Sequence, residues 1–177
     1  MSHEAGRHVA RNGHPTQIGL VATGTMHAGQ CYVHDLQTAQ SDGNRSPRHR
    51  LLVAEDDRAF RETMVALLRS DGHEVVAVAN GFDLLDTIEV SLDPNLGSGK
   101  FDLVISDIRM PGMTGLRVFT QVGYGPTIPP VVFITAFGDE ELHEQAHHAG
   151  ALAVIDKPFD IDELRTFVNN FLAGKGD

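Results

Sequence analysis

From residue 50 onward, the chain alternates between short apolar runs and longer segments of helical periodicity. The apolar runs are continuous, which is typical of strands buried on both faces. The segments between them carry apolar residues three or four positions apart, which is typical of helices with one buried face. The pattern predicts strands at 51–54, 74–79, 101–106, 131–134 and 151–155, and helices at 57–70, between Gly81 and a loop at 92–100, and at 116–122, 139–149 and 160–173. We expect the second helix to bury Phe82, Leu84, Leu85 and Ile88.

Five successive strand–helix units predict an α/β domain. Continuous apolar strands that alternate with helices form a parallel sheet covered on both faces, and right-handed crossovers make that sheet doubly wound. In such sheets the ligand site lies outside the carboxyl ends of the strands. The residues that follow each predicted strand are therefore the first candidates for chemistry.

Residues 1–48 differ from the rest of the chain. They hold half of the ten histidines and many small or polar residues, and residues 42–47 have the composition of a linker. We expect a disordered N-terminal extension at 1–48, or residues translated upstream of the natural start, followed by a folded domain at 49–175. A metal-binding histidine tract is the alternative, but these histidines are five or more residues apart and not at ligand spacing.

The charge is unevenly distributed. Residues 1–50 carry a net charge of +2 and residues 51–177 a net charge of −12, within a total of −10. An acidic body repels the phosphate backbone, so we expect no direct nucleic-acid binding, whereas it suits a divalent cation. A lone cysteine, Cys31, cannot form an internal disulfide, which favours a reducing, cytoplasmic setting. No apolar run reaches about 18 residues, so we expect no membrane span.

Polar residues follow four of the five predicted strands. The strand ends carry Glu55-Asp56-Asp57, Ser106-Asp107, Thr135-Ala136 and Asp156-Lys157-Pro158. Asp57 fits an N-cap of the helix that follows, and Asp160 fits the cap of the last helix. Capping does not account for the whole set, because a cap needs one acid. Several carboxylates brought together repel each other unless a cation lies between them.

Phosphoryl transfer to a carboxylate is the chemistry that needs such a set. Mg²⁺ binds one or two carboxylates and keeps its other positions for water and phosphate oxygens. The metal offsets the charge of the incoming phosphoryl group, so that an anionic aspartate can attack it. A lysine and a hydroxyl contact further phosphate oxygens, and a small residue beside the hydroxyl leaves the site open to a donor.

Four blocks of the sequence resemble the signature blocks of the bacterial response-regulator receiver family. They occur in the family's order, at 51–57 (LLVAEDD), 106–115 (SDIRMPGMTG), 134–136 (ITA) and 156–159 (DKPF). The resemblance covers residues 50–173, and the four blocks together are far more specific than any one of them. It implies a flavodoxin-like doubly wound (βα)5 sandwich, an α/β fold with a five-stranded parallel sheet of order 2-1-3-4-5.

The resemblance assigns roles to the residues that match the family's phosphate-binding positions. Asp107 would be the phosphoacceptor, Thr135 the switch hydroxyl beside Ala136, and Lys157 the partner of the phosphate. Lys157-Pro158 would be a cis peptide bond. The phosphoryl donor would be a histidine kinase or a histidine phosphotransfer protein.

The resemblance also implies a Mg²⁺ site. Asp56 and Asp107 would bind the metal, and Glu55 would lie in the same acidic pocket. The family uses the backbone carbonyl two residues after the phosphoacceptor as a further ligand, which here is that of Arg109.

Position 154 departs from the family. Three residues before the lysine the family usually carries Tyr or Phe, which turns inward on activation, whereas this chain carries Val154. A valine has little area to expose and no hydroxyl. We therefore expect the usual coupling between that aromatic and Thr135 to be altered.

No effector pattern follows the last predicted helix. We expect a stand-alone receiver, or the receiver part of a longer protein, whose output is contact with an unidentified protein. In the family the output surface consists of the fourth helix, the fifth strand and the fifth helix. Here it would carry Glu140, Glu141, His143, His147 and His148, which we interpret as a solvated helix face. A zinc-binding or pH-sensitive histidine patch is the alternative.

Two further classes compete with a signalling switch. A phosphatase-like enzyme on a similar sheet usually carries a second acid two residues after its nucleophile, where this chain has Arg109. A pseudo-receiver would act as an interaction module that never takes phosphate; the acidic pocket disfavours it and Val154 favours it. We expect a switch that catalyses only its own phosphoryl transfer and dephosphorylation, and not a classical enzyme.

Overall fold

A computed structural model of the chain describes residues 49–96, 99–123, 125–136 and 138–175, together with the backbone of three residue pairs nearer the N-terminus. Two of these pairs, Ile18–Gly19 and Asp35–Leu36, form an antiparallel bridge. The predicted extension at 1–48 otherwise lies outside the described residues, so its disorder stays a prediction.

Five long strands and five helices alternate through the domain. The strands are β1 (Arg50–Ala54), β2 (Glu74–Val78), β3 (Leu103–Asp107), β4 (Val131–Thr135) and β5 (Ala151–Asp156). The helices are α1 (Arg58–Ser70), α2 (Gly81–Leu92), α3 (Gly115–Val122), α4 (Glu140–His148) and α5 (Ile161–Ala173). Every predicted element is present. No helix among the described residues is long and apolar enough to cross a bilayer.

The start of β3 was predicted two residues too early. Phe101 is buried but precedes the strand, and the carboxylate of Asp102 accepts a hydrogen bond from the backbone N–H of Arg50 at 2.9 Å. The backbone N–H of Asp102 in turn donates to the Arg50 carbonyl at 2.8 Å, so a side chain and the backbone together pair these two residues just before the strand begins.

The long strands form a parallel sheet in the order β2-β1-β3-β4-β5. This confirms the predicted doubly wound α/β fold and its 2-1-3-4-5 order. The backbone at Thr25–Met26 adds a two-residue parallel strand to the outer edge of β5, opposite Val154 and Ile155. The carboxyl ends of all five long strands lie at the same edge of the sheet.

A short polar side chain caps the N-terminus of every helix of the domain. The capping oxygens belong to Asp57, Asn80, Thr114, Asp139 and Asp160, and each accepts a backbone N–H two or three residues further on. Such caps satisfy donors that the first helical turn leaves without partners. They confirm the predicted roles of Asp57 and Asp160, and they fix where each loop from a strand ends.

The sheet separates two apolar cores. One face packs against α1 and α5, through residues such as Met64, Leu68, Leu164 and Val168. The other face packs against α2, α3 and α4, and the fully buried Val154 belongs to this side. The continuous apolar composition of the strands follows from their burial on both faces.

Two predicted exposures are wrong. Phe82, expected in the core, is 55% exposed, because it lies in the first turn of α2 and its ring rests on the backbone of Gly112. His143, expected on a solvated helix face, is 2% exposed, because it points from α4 towards the end of β5. The proposed histidine patch on α4 therefore lacks one of its members.

An ordered ion pair lies beside the amino end of β2. Asp71, the C-cap of α1, accepts hydrogen bonds from Arg165 Nε at 2.8 and 3.1 Å and from Asn169 Nδ2 at 3.0 Å. The hydrogen bonds from Arg165, helped by that from Asn169, hold the pKa of Asp71 below its ordinary value despite partial burial. The pair ties α1 to α5 at the end of the sheet away from the predicted site.

Candidate functional site

The predicted site residues gather at the carboxyl edge of the sheet. Glu55 and Asp56 directly follow β1, Asp107 is the last residue of β3, Thr135 is the last residue of β4, and Lys157 directly follows β5. These four strands are adjacent and parallel, so their ends meet in space. The arrangement agrees with the placement expected from the sequence.

Lys157 connects two of the acids. Its Nζ donates a hydrogen bond to Asp107 Oδ2 at 2.7 Å and another to Glu55 Oε2 at 2.8 Å. The ammonium also lies over the ring of Phe60 in α1, 4.8 Å from its centre, which is a cation–π contact. Burial alone would lower the pKa of Lys157, but the hydrogen bonds to Asp107 and Glu55 outweigh it and raise that pKa. Lys157 is therefore a cation held ready beside Asp107.

Glu55 is a buried acid with unfavourable surroundings. It is 1% exposed, and its Oε1 accepts the backbone N–H of Asp57 at 3.2 Å. Burial raises the pKa of Glu55; the hydrogen bond from Lys157 lowers it by less, and the charge of Asp107 raises it further. The ionised form is thus disfavoured as the pocket stands, and a bound cation would favour it.

Asp107 has both carboxylate oxygens fixed. Its Oδ1 accepts the backbone N–H of Arg109 at 2.7 Å while Oδ2 faces Lys157. The Ser106 hydroxyl donates to the Asp107 carbonyl at 2.9 Å. Gly115 lies so close to this carbonyl and to the Ser106 hydroxyl that a Cβ there would overlap them, so the start of α3 requires glycine. Asp107 is 6% exposed, so a small part of it is in contact with solvent.

Three carboxylates are close enough to share a cation. Glu55, Asp56 and Asp107 each offer an oxygen, and these oxygens lie within 4.8 Å of one another. Among the described residues this is the one His, Cys, Asp and Glu group with metal-ligand spacing, so the histidines of α4 do not form a second. Carboxylate oxygens are the ligands that hard cations prefer, and the donor set fits Mg²⁺. The Arg109 carbonyl as a further ligand stays a prediction.

Thr135 and Lys157 are joined through the backbone. The N–H of Lys157 donates to the Thr135 carbonyl at 2.7 Å. The Thr135 side chain is fully buried, whereas its neighbour Ala136 is exposed. The Lys157-Pro158 peptide bond is cis, as predicted. The hydroxyl of Thr135 and the ammonium of Lys157 are thus carried by two neighbouring strand ends that a backbone hydrogen bond joins on the β5 side of the site.

The sequence did not reveal a polar contact just outside this group. His143 Nε2 lies 3.0 Å from Oδ1 of Asp156, the residue before Lys157. Asp156 belongs to one of the matching blocks but was given no role, and His143 was placed on the surface. Their 13-residue separation in the chain carries no local pattern that would pair them, so only the tertiary fold identifies the contact.

Comparison with known proteins gives a consistent result. The family model for the response regulator receiver domain matches residues 51–169. The transcriptional regulatory protein PdtaR of Mycobacterium tuberculosis (strain H37Rv) is 34% identical over 125 residues, which are 70% of this chain and 57% of that protein. This chain therefore spans little more than half the length of PdtaR.

Two further similarities cover nearly the whole of the compared protein. The sporulation initiation phosphotransferase F of Bacillus subtilis (strain 168) is 27% identical over 128 residues, which are 72% of this chain and 97% of that protein. The crystal structure of a CheY-like response regulator receiver domain protein from Methanospirillum hungatei aligns with a TM-score of 0.63 at 24% identity, over 72% of this chain and 95% of that one. At that identity the structural likeness bears on the fold alone.

Proposed function

We propose that this chain, which belongs to the response regulator receiver domain family, is a phosphorylation-dependent switch of a two-component or phosphorelay system. Asp107 accepts the phosphoryl group, and the phosphorylated form signals through contacts with another protein. The observation that carries the proposal is the bridge from Lys157 to Asp107 and Glu55, beside three carboxylates with metal-ligand spacing. Helix capping needs none of these contacts, whereas phosphoryl transfer to a carboxylate uses the ammonium and the carboxylates that make them.

The proposed reaction is a transfer from a phosphohistidine to the Asp107 carboxylate. A carboxylate oxygen attacks the phosphorus atom, a P–O bond forms, and the P–N bond to the donor histidine breaks. The electron pair of that bond stays on the imidazole nitrogen, which takes a proton from solvent. No oxidant or further reactant is needed. The backbone N–H of Arg109 keeps the Asp107 carboxylate oriented for the attack.

The remaining groups control charge. Bound by Glu55, Asp56, Asp107 and the Arg109 carbonyl, Mg²⁺ would offset the repulsion between the phosphoryl group and the acids. Lys157 already contacts Asp107 Oδ2 and needs only a small movement to pair with a phosphate oxygen. Thr135, buried at the next strand end, would supply a hydroxyl donor to another oxygen. Hydrolysis of the acyl phosphate returns the switch to its resting state, so the chain turns over its own phosphate and no external substrate.

The relatives support this type of partner. The sporulation initiation phosphotransferase F is a phosphotransferase by name, and the match covers 97% of it. This favours a histidine kinase or histidine phosphotransfer protein as the donor. PdtaR is a transcriptional regulator by name, but this chain spans 57% of it, and the output of that protein is not carried over. We propose that the target is an unidentified protein in the cytoplasm. We propose no direct binding of nucleic acid or membrane, because the strongly acidic domain would repel their phosphate groups.

One observation favours a second candidate, a pseudo-receiver that binds partners without taking phosphate. Val154 occupies the position where the family carries an inward-turning aromatic, and it is fully buried. The two candidates differ in a single measurable event, the covalent attachment of phosphate to Asp107.

The test is incubation of the protein with Mg²⁺ and acetyl phosphate, followed by intact-mass spectrometry. We expect a gain of one phosphoryl group that disappears in Asp107→Asn and when EDTA removes the metal. The matched control is Asp86→Asn, since Asp86 is exposed on α2 and should leave the gain unchanged. No gain in the wild type would favour the pseudo-receiver, and a gain that persists in Asp107→Asn would place the acceptor elsewhere.

A further inference from the structure

A buried polar contact joins α4 to the end of β5. The side chain of His143 is 3% exposed and that of Asp156 is 18% exposed, and their Nε2 and Oδ1 atoms are 3.0 Å apart. A buried imidazole is costly in an apolar layer unless it finds a polar partner, and here Asp156 is a partner of Nε2. The contact is therefore a specific connection between two elements that otherwise meet through apolar side chains such as Leu142 and Ala146.

This contact is one residue away from the phosphate-binding group. Asp156 precedes Lys157, whose ammonium lies 2.7 Å from Asp107 Oδ2. Asp156 is also the sheet partner of Thr135, and the backbone N–H of Lys157 binds the Thr135 carbonyl. Lys157, Thr135 and Asp156 are thus connected through covalent and hydrogen-bonded backbone.

The loop between β4 and α4 lies directly on the same contact. A Cβ added at Gly138 would overlap both Asp156 Oδ1 and His143 Nε2, so the loop backbone passes against the two side chains. This loop links Thr135 to the first turn of α4. A movement of Thr135 towards a phosphoryl group would therefore move the loop against the His143–Asp156 pair.

Val154 offers no comparable connection. It is fully buried among apolar side chains and has neither a hydroxyl nor a ring to move between two positions. We propose that His143 and Asp156 are positioning residues that couple phosphorylation of Asp107 to α4. The inference rests on the proposed function and names the route by which that site reaches the surface of α4.

The coupling follows from charge. A phosphoryl group on Asp107 draws the Lys157 ammonium away from Glu55, and the backbone at Asp156 follows. The carboxylate of Asp156 then changes its distance to the His143 ring, and α4 shifts because His143 is fixed in it. Such coupling needs specific contacts at Asp107 and at α4. Lys157 contacts Asp107, and the next residue back, Asp156, contacts His143 of α4.

The test uses the full chain, Mg²⁺ and beryllofluoride as a phosphoryl mimic, with backbone amide chemical shifts as the readout. In the wild type we expect changes at Arg109, next to the acceptor, and at residues 140–148 of α4. In His143→Leu the change at Arg109 should persist, while the change in α4 falls by a factor on the order of three. Since Leu fills a similar volume, the helix should remain packed.

Three further variants separate coupling from a merely structural role. Asp156→Ala removes the contact from the less buried side and should reduce the α4 response in the same way, even if His143→Leu fails to fold. His143→Gln keeps an amide donor and should restore part of the response. His148→Leu changes an exposed histidine of the same helix and should leave the response at its wild-type size.

The outcomes distinguish the two proposals. A wild-type change at Arg109 with a full α4 response in both His143→Leu and Asp156→Ala contradicts the coupling and leaves the proposed function intact. If beryllofluoride changes no amide near Asp107 in the wild type, the proposed function fails and the coupling fails with it.

Discussion

Glu55 and Asp71 are two acids at opposite ends of the sheet, and each contacts a basic side chain. Lys157 donates to Glu55 at 2.8 Å, and Arg165 donates to Asp71 at 2.8 and 3.1 Å. Their pKa values nevertheless move in opposite directions. Burial raises the pKa of Glu55, whereas the hydrogen bonds from Arg165 lower that of Asp71.

The difference comes from what surrounds each pair. Asp71 faces a guanidinium fork and the amide of Asn169, so its negative charge is matched by several donors. Glu55 is almost fully buried and shares Lys157 with a second carboxylate, Asp107. One ammonium between two close acids leaves uncompensated charge in a place of low dielectric.

Asp71 therefore stabilises the fold, whereas the burial of Glu55 beside Asp107 lowers the stability of the folded protein. Ionisable groups with such unfavourable surroundings cluster at functional sites. The Asp71–Arg165 pair joins α1 to α5. A cation bound in the pocket at the carboxyl ends of the strands would compensate the excess negative charge of its acids.

The largest effect on stability is expected from Lys157→Met. Methionine keeps most of the volume but leaves Glu55 and Asp107 facing each other without the ammonium. Removing one partner of a buried ion pair costs several kcal/mol, and because Lys157 is a quarter exposed we expect a loss of about 1–3 kcal/mol at neutral pH without metal. Urea unfolding measures it.

Lys100→Met is the control for this variant, since Lys100 is exposed outside the pocket. It should unfold at nearly the wild-type urea concentration. Added Mg²⁺ should restore part of the stability that Lys157→Met loses, because a cation replaces part of the missing charge. If Lys157→Met and Lys100→Met lose equal stability, or neither loses any, Lys157 is no more important to stability than an exposed lysine, which would contradict the prediction.

A smaller loss is expected from Asp71→Asn, because solvent screens an ion pair with an exposed guanidinium. The pKa of Asp71 is lowered in the folded protein, so its stabilising contribution is present above the ordinary pKa of 3.8 and is lost as the pH falls through the folded value. Asp71→Asn should therefore unfold earlier than the wild type at pH 7, and the two should converge in acid. Urea midpoints across the pH range test this, and a difference that grows in acid would contradict it.

Much of the fold and the site could be predicted because their signals are local. The strands are continuous apolar runs, and Glu55, Asp107, Thr135 and Lys157 each stand at the end of one. Parallel order then brings them together without any further information. Asp57 and Asp160 were identified as helix caps for the same reason, since a cap depends on residues two or three positions away.

The features that could not be predicted depend on distant partners. α4 has few apolar residues, so its pattern does not say which side is buried, and His143 is identified as a core residue only by Asp156 and the adjacent loop. The pairing of Asp71 with Arg165 joins residues 94 positions apart. Phe82 fits the apolar face of α2, but its place in the first turn leaves it outside the core.

The central claim is that the pocket holds its acids for a cation and a phosphate, and Glu55→Gln tests it most directly. The raised pKa of Glu55 means that its contribution to stability is favourable in acid and is lost as the pH rises through the folded value. At pH 8 without metal, the ionised Glu55 should therefore destabilise the wild type relative to Glu55→Gln.

Unfolding by urea at pH 8, with EDTA and then with saturating Mg²⁺, gives the decisive comparison. We predict that Glu55→Gln is the more stable protein in EDTA, and that Mg²⁺ stabilises the wild type more than the variant, so that the difference closes or reverses. Equal stabilisation of both proteins by Mg²⁺, or of neither, would contradict the assignment of this pocket as a cation and phosphate site.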